Sequence, residues 1–245
     1  MAVIIEPKIS NPMKLLLFTC IGCCFMISQL SFSQNTNEVI EPEVAGNRVI
    51  DLLEGGTLDA WKVPSTNWKI QNESIIGSTG EEKLEIPEWL YTKQRFRDFE
   101  FTCEMRLSGD RRRNTGIYYR VHPFLFKSQN GKKSYMAPSG YEFDAAFHHP
   151  DGKNFRGTLG DWYARPSLRI FPDKDIINKA YKTDEWNRMT LRAHGNRLEY
   201  WINGFKVMDY TDTDPKASQE GIIGFQIHDG SVMTVEYRNI RVLPL

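Results

Sequence analysis

The stretch DFEFTCEMRL, residues 98–107, decides the fold class of this chain. Its apolar residues stand at every second position: Phe99, Phe101, Cys103, Met105 and Leu107. Polar or charged residues fill the positions between them after Asp98. Because successive side chains of a β-strand point to opposite sides of a sheet, this period of two predicts a strand with one buried face and one polar face.

Similar alternation recurs on both sides of this strand. Comparable runs cover residues 116–121, 140–147, 186–193, 198–202, 205–210, 221–228 and 232–242, with shorter candidates at 68–77 and 84–94. Asn203-Gly204 joins two of these runs, and this pair predicts a hairpin because both central residues of a type I′ turn need a positive φ. Apolar residues at helical spacing are confined to a turn or two near residues 176–181.

About ten short strands separated by turns predict an all-β fold. We expect a two-sheet antiparallel jelly-roll sandwich, concanavalin A-like or lectin-like, with long loops. The stretches 123–139 and 149–185 are polar and contain several Gly and Pro residues, so we expect them to be these loops. Loops of that length in a compact domain usually carry function, and here they would form walls around one face.

The N-terminal residues predict export. Lys14 precedes an apolar run over 15–30, and Ser31-Phe32-Ser33 follows as a small-x-small cleavage site, which is the pattern of a signal peptide. The apolar run is about sixteen residues, shorter than the roughly 20 that a membrane-spanning helix needs. We therefore assign residues 1–33 to the signal peptide, with Met13 as an alternative start, residues 34–46 to a flexible leader, and residues 47–245 to the β-sandwich domain.

The predicted location is the periplasm or the medium. A lipoprotein anchor at Cys20, Cys23 or Cys24 is the less favoured route, because the small residues that should precede such a cysteine are poorly matched. Removal of the signal peptide leaves Cys103 as the one cysteine, so a disulfide framework is not expected. Cys103 lies on the apolar side of its strand, which indicates a buried structural residue.

The charge balance favours a neutral ligand. The chain has 31 basic and 31 acidic side chains, which give a formal net charge of zero. Such a protein has no global field to attract nucleic acid or an anionic membrane. We expect a carbohydrate as the partner, no nucleic acid and no transmembrane segment in the mature chain, and the sequence leaves the oligomeric state open.

Three strands carry unusual residues on the face that alternation turns away from the core. These residues are Tyr118 and Arg120, Glu142 and Asp144, and Gln226 and His228. If the three strands are neighbours, a guanidinium, two carboxylates, an amide and an imidazole converge on one patch, as in a binding site. The alternative is that each is an ordinary solvated residue of an outer sheet face.

Aromatic residues on the predicted loops give a second indication, because sugars stack on exposed rings. Trp162 and Tyr163 lie in the loop segment Gly160-Asp161-Trp162-Tyr163. Trp201, Tyr135 and Phe126 are further candidates, although most Trp residues of such a domain belong to the core.

The segment 142–147 invites comparison with the jelly-roll β-glucanases, whose E-x-D-x-x-E strand supplies a nucleophile and an acid. Phe147 stands where the last Glu would be, so ordinary retaining hydrolysis is disfavoured. Metal ligands could come from His148, His149 and Asp151, or from Glu142, Asp144 and His228. Neither spacing is diagnostic of a metal site, and we predict no metal and no cofactor.

Eight short motifs together resemble the 3-keto-disaccharide hydrolase family over residues 49–243. They are Leu58-Asp59-Ala60-Trp61, Arg97-Asp98-Phe99-Glu100-Phe101, Asn114-Thr115-Gly116-Ile117-Tyr118-Tyr119-Arg120, Gly140-Tyr141-Glu142, Glu185-Trp186-Asn187, Trp201-Ile202-Asn203-Gly204, Gly224-Phe225-Gln226-Ile227-His228 and Tyr237-Arg238-Asn239-Ile240. Three positions and one segment depart from the family, and the segment is Arg156-Gly157-Thr158-Leu159, where a Thr-Gly segment is usual. Thr115 stands where Ser is usual, Asp144 where Gln is usual, and Phe147 where Asp is usual.

The resemblance implies cleavage of a glycoside already oxidised at C3. The ketone acidifies the C2 hydrogen, so a base can remove it, the C1 substituent can leave by β-elimination, and water can then add. In that scheme Arg120 stabilises the enolate, either Glu142 or His228 acts as the base, and the other acts as the acid for the leaving oxygen. Residues that would hold the sugar are Tyr118, Asp144, Gln226, Asn114, Trp162 and Tyr163. The rival hypotheses are a non-catalytic carbohydrate-binding module and a structural or adhesive domain.

Overall fold

The computed structural model describes residues 40–146 and 155–245. Fifteen strands lie in that part: β1 Ile50–Asp51, β2 Trp61–Lys62, β3 Trp68–Gln71, β4 Ser74–Ser78, β5 Glu88–Phe96, β6 Phe99–Gly109, β7 Gly116–Lys127, β8 Ser134–Asp144, β9 Leu159–Gly160, β10 Arg169–Ile170, β11 Asn187–His194, β12 Arg197–Ile202, β13 Phe205–Thr211, β14 Gly221–Ile227 and β15 Met233–Pro244. Helix α1 covers Lys174–Ala180, and Glu54–Gly56 forms a short 3-10 turn.

The strands form two antiparallel sheets. One has the order β13-β12-β11-β6-β15-β4-β3, with β1 paired to β15, and the other has the order β10-β9-β8-β7-β14-β5-β2. The expected all-β, two-sheet jelly-roll sandwich is confirmed. The hairpin at Asn203-Gly204 is also confirmed, with Asn203 at φ 51° and Gly204 at φ 89° between β12 and β13.

The core lies between the two sheets and follows the alternation in the sequence. The five apolar residues of β6 are all buried in it. Aromatic rings join the layers: Phe225 of β14 stacks on Tyr237 of β15 with ring centroids 3.7 Å apart, and Phe143 of β8 stacks on Tyr200 of β12 at 4.1 Å. Each large side chain buried in this way contributes about 2 to 3 kcal/mol of transfer free energy to folding.

The prediction of a loop over 123–139 is wrong. β7 and β8 continue as a paired hairpin through most of this stretch, with Phe126 opposite Tyr135 and Leu125 opposite Met136. These cross-strand pairs stabilise strands despite the many polar and turn-forming neighbours. The stretch 155–185 is mostly irregular, and α1 confirms the helical turn expected near residues 176–181.

The end of the predicted leader contacts the domain. Glu41 pairs with the Arg188 guanidinium and accepts a hydrogen bond from Thr190 Oγ1, both on β11. Val44 is also buried. The packed chain therefore begins before residue 47. The predicted signal peptide and residues 34–39 lie outside the described residues, and so do His148, His149, Asp151 and Phe147.

Candidate active site

The two outer faces of the sandwich differ in how their polar groups are satisfied. On the eight-stranded sheet, charged residues of neighbouring strands form ion pairs, such as Arg106 with Glu236 and Arg192 with Glu100. On the seven-stranded sheet and its loops, several buried polar atoms have no hydrogen-bond partner within residues 40–146 and 155–245. They include Trp89 Nε1, Tyr91 Oη, Asn114 Oδ1, Glu142 Oε1, Trp162 Nε1 and Gln226 Oε1. Because buried polar atoms are nearly always paired, this cluster marks a place where a ligand would supply partners.

Glu142 and Asp144 lie side by side at this face. Phe143 between them packs into the core, so both carboxyl groups point away from it. They are only 2% and 3% exposed. A Cβ on Gly116 of β7 would come within 2.1 Å of Glu142 Oε1, so the carboxyl has room only because glycine stands there. Glu142 and Asp144 therefore lie on the sheet face that points away from the core, as the alternation predicts.

Tyr118 and Gln226 border the carboxyl pair on the two next strands. Tyr118 lies directly opposite Glu142 in the β7–β8 register and is 3% exposed. Gln226 lies between the core residues Phe225 and Ile227, so its amide points outward. Asn114 is half-buried just before β7. The structure thus brings Tyr118 and Gln226 to one side of the sheet with the two acids.

Trp162 does not present an open ring face for a sugar. A Cβ on Gly160 would lie 2.8 to 3.0 Å from three atoms of the indole, and the Arg169 guanidinium lies over the ring, 4.8 Å from its centroid. The expectation of a stacking platform at Trp162 is therefore wrong. What this side chain offers is its indole N–H, which is buried near Glu142.

Tyr163 belongs to an aromatic cluster on the outer face. Its ring meets Trp89 at 5.9 Å and Phe126 at 5.2 Å, while Tyr135 stacks on Trp89 at 6.0 Å. Sequence reasoning missed Trp89 and its neighbour Tyr91, which pack with Tyr118 in a cluster separate from the core. The signal was the alternation in the candidate strand 84–94, which puts Trp89 and Tyr91 opposite the core residue Leu90.

His228 lies just beyond the end of β14, at the rim of this face. Its Nδ1 is 2.7 Å from the Asp229 carbonyl oxygen and 3.4 Å from Asp229 Oδ1, and the side chain is 39% exposed. It therefore contacts its chain neighbour at the surface, whereas the acids are buried. The structure places it near the strand that carries Gln226 but does not show it in contact with Glu142.

Arg120 lies elsewhere, which corrects the prediction that it shares a face with Tyr118. Its φ is 50°, and the β7–β8 register shifts between Tyr119 and His122, so a bulge interrupts the alternation. The fully buried guanidinium donates to the carbonyls of Arg97, Gly195 and Ser218 and to Asp98 Oδ1. The next residue, Val121, takes the outward position instead.

Sequence comparison identifies the family of this chain. The model of the 3-keto-alpha-glucoside-1,2-lyase-like domain matches residues 48–243. The chain belongs to that family. Among curated proteins, none matches this sequence significantly.

Solved structures resemble this chain in fold. A structure from Parabacteroides distasonis ATCC 8503, provisionally assigned as a glycosyl hydrolase, has a TM-score of 0.57 at 19% identity and covers 80% of this chain and 94% of its own. The VIP36 exoplasmic/lumenal domain, solved with Ca²⁺ and Man3GlcNAc, has a TM-score of 0.55 at 11% identity, covering 81% and 88%. The Emp47p carbohydrate recognition domain has a TM-score of 0.51 at 14% identity, covering 85% and 96%. These solved structures share the jelly-roll fold of this chain, and the family match relates the chain to carbohydrate.

Burial controls the protonation of the Glu142–Asp144 pair. Desolvation raises the pKa of Asp144 to about 8 and raises the pKa of Glu142 well above its usual value. The charge of Asp144 raises the Glu142 pKa further, whereas Tyr118 and the Trp162 indole N–H lower it by favouring the ionised form. The pair therefore retains at least one proton at neutral pH, and one carboxyl can give a proton while the other takes one.

We expect the burial of Asp144 to make the protein less stable as pH rises. The pKa of Asp144 is raised to about 8 from 3.8, so between about pH 4 and pH 8 the folded state holds a proton that the unfolded chain has released. The free energy of unfolding then falls with pH, by at most about 1.4 kcal/mol per pH unit. Urea unfolding of the wild type and Asp144→Asn should converge at pH 4 and separate toward pH 8, with the wild type less stable. Parallel stability curves over this range would contradict the raised pKa.

Within the described ranges, no three His, Cys, Asp or Glu side chains are close enough together to hold a metal ion, and no helix could span a membrane. A cleft of about 370 Å³ lies on the other sheet beside β1 and β15. The polar residues that line it, Asp51, Glu73 and Asn239, are exposed, in contrast to the buried acids of the candidate site.

Proposed function

We propose that this protein cleaves the glycosidic bond of 3-keto-glycosides by removing the C2 proton and expelling the C1 substituent. The observation that carries the proposal is the buried Glu142–Asp144 pair at a face rich in unpaired polar atoms. Family membership supports the same chemistry. We also propose export, on the basis of the signal peptide pattern in residues 1–33.

The proposed reaction has an elimination step and a hydration step. In the first, a carboxylate takes the C2 proton, the electron pair forms the C1–C2 double bond, and the C1–O bond breaks. The leaving oxygen receives a proton and departs as an alcohol. In the second, water adds at C1 and C2 regains a proton, which yields the free 3-keto sugar. No covalent bond to the protein forms, so the lack of a second Glu in the β-glucanase position is no obstacle.

The acid pair supplies both proton transfers in this scheme. We assign Glu142 as the base, because its Oε1 is among the buried atoms without a partner in the described chain. In this assignment Asp144, whose burial favours its protonated form, holds the proton for the leaving oxygen, while Tyr118 and the Trp162 indole N–H favour ionised Glu142. Tyr118, opposite Glu142, can donate to the enolate oxygen, and the Gln226 amide can orient the ring. The exposed His228 is a candidate for exchanging protons between this pair and solvent.

The function test compares oxidised and ordinary glucosides. We expect release of the aglycone from a 3-keto-glucoside and no release from the matching unoxidised glucoside, since only the ketone acidifies C2. Chromatography of the aglycone and the sugar product would report both steps. Failure to cleave any 3-keto-glucoside would contradict the proposal. Retention on a polysaccharide gel without turnover would instead identify a binding module.

A further inference from the structure

A buried ion cluster lies beneath the loop that joins β9 to β10. Arg165 Nε donates to Asp161 Oδ2 at 3.0 Å, and Arg165 Nη1 donates to Asp212 Oδ2 at 2.8 Å. The side chains of Arg165, Asp161 and Asp212 are 10%, 3% and 1% exposed. Tyr141 of β8 also donates to Asp212, at 2.7 Å. Asp161 and Arg165 belong to the seven-stranded sheet's edge loop, whereas Asp212 follows β13 in the other sheet, so the cluster ties the two sheets together.

The same contacts fix the shape of the loop. Asp161 Oδ1 accepts from the Ala164 amide, and the Arg165 amide donates to the Asp161 carbonyl. The Asp161 amide donates to the Leu168 carbonyl, which closes the loop at its base. Residues 161–165 therefore form a compact turn, and the Arg165 guanidinium connects this turn to Asp212. Between Asp161 and Ala164, this turn contains two further residues.

Those two residues are Trp162 and Tyr163, and both reach the candidate site. Trp162 packs over Gly160, which pairs with Glu142 across the β8–β9 ladder. Its indole N–H favours the ionised form of Glu142. Tyr163 packs against Trp89 in the aromatic cluster. A shift of the turn would move both side chains relative to Glu142.

We propose that Arg165 is a positioning residue, which bridges Asp161 and Asp212 and thereby holds Trp162 and Tyr163 at the carboxyl pair. The effect on turnover rests on the proposed function, whereas the effect on Trp162 does not. Lysine cannot replace this guanidinium, because an ammonium lacks the planar fork that contacts two carboxylates at once. A displacement of about 1 Å in the groups that surround the reacting atoms can lower a rate by about 100-fold.

The test follows Trp162 directly by fluorine NMR of protein labelled with 5-fluorotryptophan. The chain has six Trp residues, and the Trp162→Phe variant assigns the resonance. We expect Arg165→Met to shift or broaden the Trp162 resonance and to lower kcat/KM for a 3-keto-glucoside about 10-fold to 100-fold. In Arg165→Lys, we expect the Trp162 resonance to stay shifted or broadened and kcat/KM to stay low. Asp212→Asn serves as a second, milder variant if Arg165→Met does not fold.

The matched control is Arg192→Met on the opposite sheet. Arg192 also pairs with two carboxylates, Glu100 and Glu199, and lies over Trp201. Its loss should leave the Trp162 resonance and the turnover unchanged. An unshifted Trp162 resonance in folded Arg165→Met or Asp212→Asn would overturn the proposal, whatever happens to the rate. If the wild type cleaves no 3-keto-glucoside, the proposed function fails, and the resonance still decides the role of Arg165.

Discussion

Glu142→Gln should lower turnover of a 3-keto-glucoside by about 100-fold to 10,000-fold, the range lost when a general base is removed. The amide keeps the shape of the side chain over Gly116 but cannot accept the C2 proton. Substrate binding should change little, because Tyr118, Gln226 and the aromatic cluster remain. Steady-state release of the aglycone measures kcat, and calorimetry with the unreacted substrate measures the dissociation constant.

Stability provides the internal control for this variant. Glu142 is 2% exposed and its pKa is raised chiefly by burial, so a neutral amide removes an unfavourable charge from the interior. We expect Glu142→Gln to be at least as stable as the wild type at pH 8. Glu104→Gln on the other sheet, where Glu104 pairs with Arg238, should leave kcat unchanged. A Glu142→Gln enzyme within a few-fold of the wild type would remove Glu142 from the mechanism.

The alternation of residue types predicted the part of the site that lies on regular strands. β8 is regular from Tyr141 to Asp144 and β14 from Gly224 to Ile227, so counting by two places Glu142, Asp144 and Gln226 on the outer face. The same counting predicted the core residues of β6. Counting by two gives the face of each residue without knowledge of which strands are neighbours.

Counting by two failed where the backbone departs from a regular strand. Arg120 takes a left-handed conformation, and the bulge puts Val121 instead of Arg120 on the outward side of β7. The bulge depends on close backbone approach from other strands: a Cβ on Gly140 would lie 2.7 Å from the Arg120 carbonyl oxygen, and one on Gly221 would lie 2.2 Å from its carbonyl carbon. Such contacts join residues distant in sequence, so local periodicity cannot reveal them.

The roles of the aromatic residues were also beyond local reasoning. Trp162 stands in a polar loop, which suggested an exposed ring, yet Gly160 and Arg169 enclose it. Trp89 stands in a strand of ordinary appearance, yet it is the ring that Tyr118, Tyr135 and Tyr163 all contact. Both outcomes depend on which strands and loops meet over the sheet, and this is a property of the whole topology.

Arg120→Met should destabilise the protein by about 3 kcal/mol, near the lower end of the cost of removing one partner from a buried ion pair. The guanidinium is fully buried and satisfies three backbone carbonyls that would be left without a donor. Asp98, its charged partner, is 30% exposed and keeps the Gly195 amide as a donor, which limits the cost. For a domain of this size, such a loss lowers the melting temperature by about 10 °C.

This variant separates a structural role for Arg120 from the catalytic role that the sequence suggested. A structural role predicts lower stability in urea, with activity lost only in proportion to the unfolded fraction. Arg197→Met, which breaks a half-exposed pair with Asp209, is the control and should cost under about 1 kcal/mol. Unchanged stability combined with abolished turnover would instead return Arg120 to the reaction. That outcome would require the bulge to rearrange, because the guanidinium donors are now directed at Arg97, Gly195, Ser218 and Asp98.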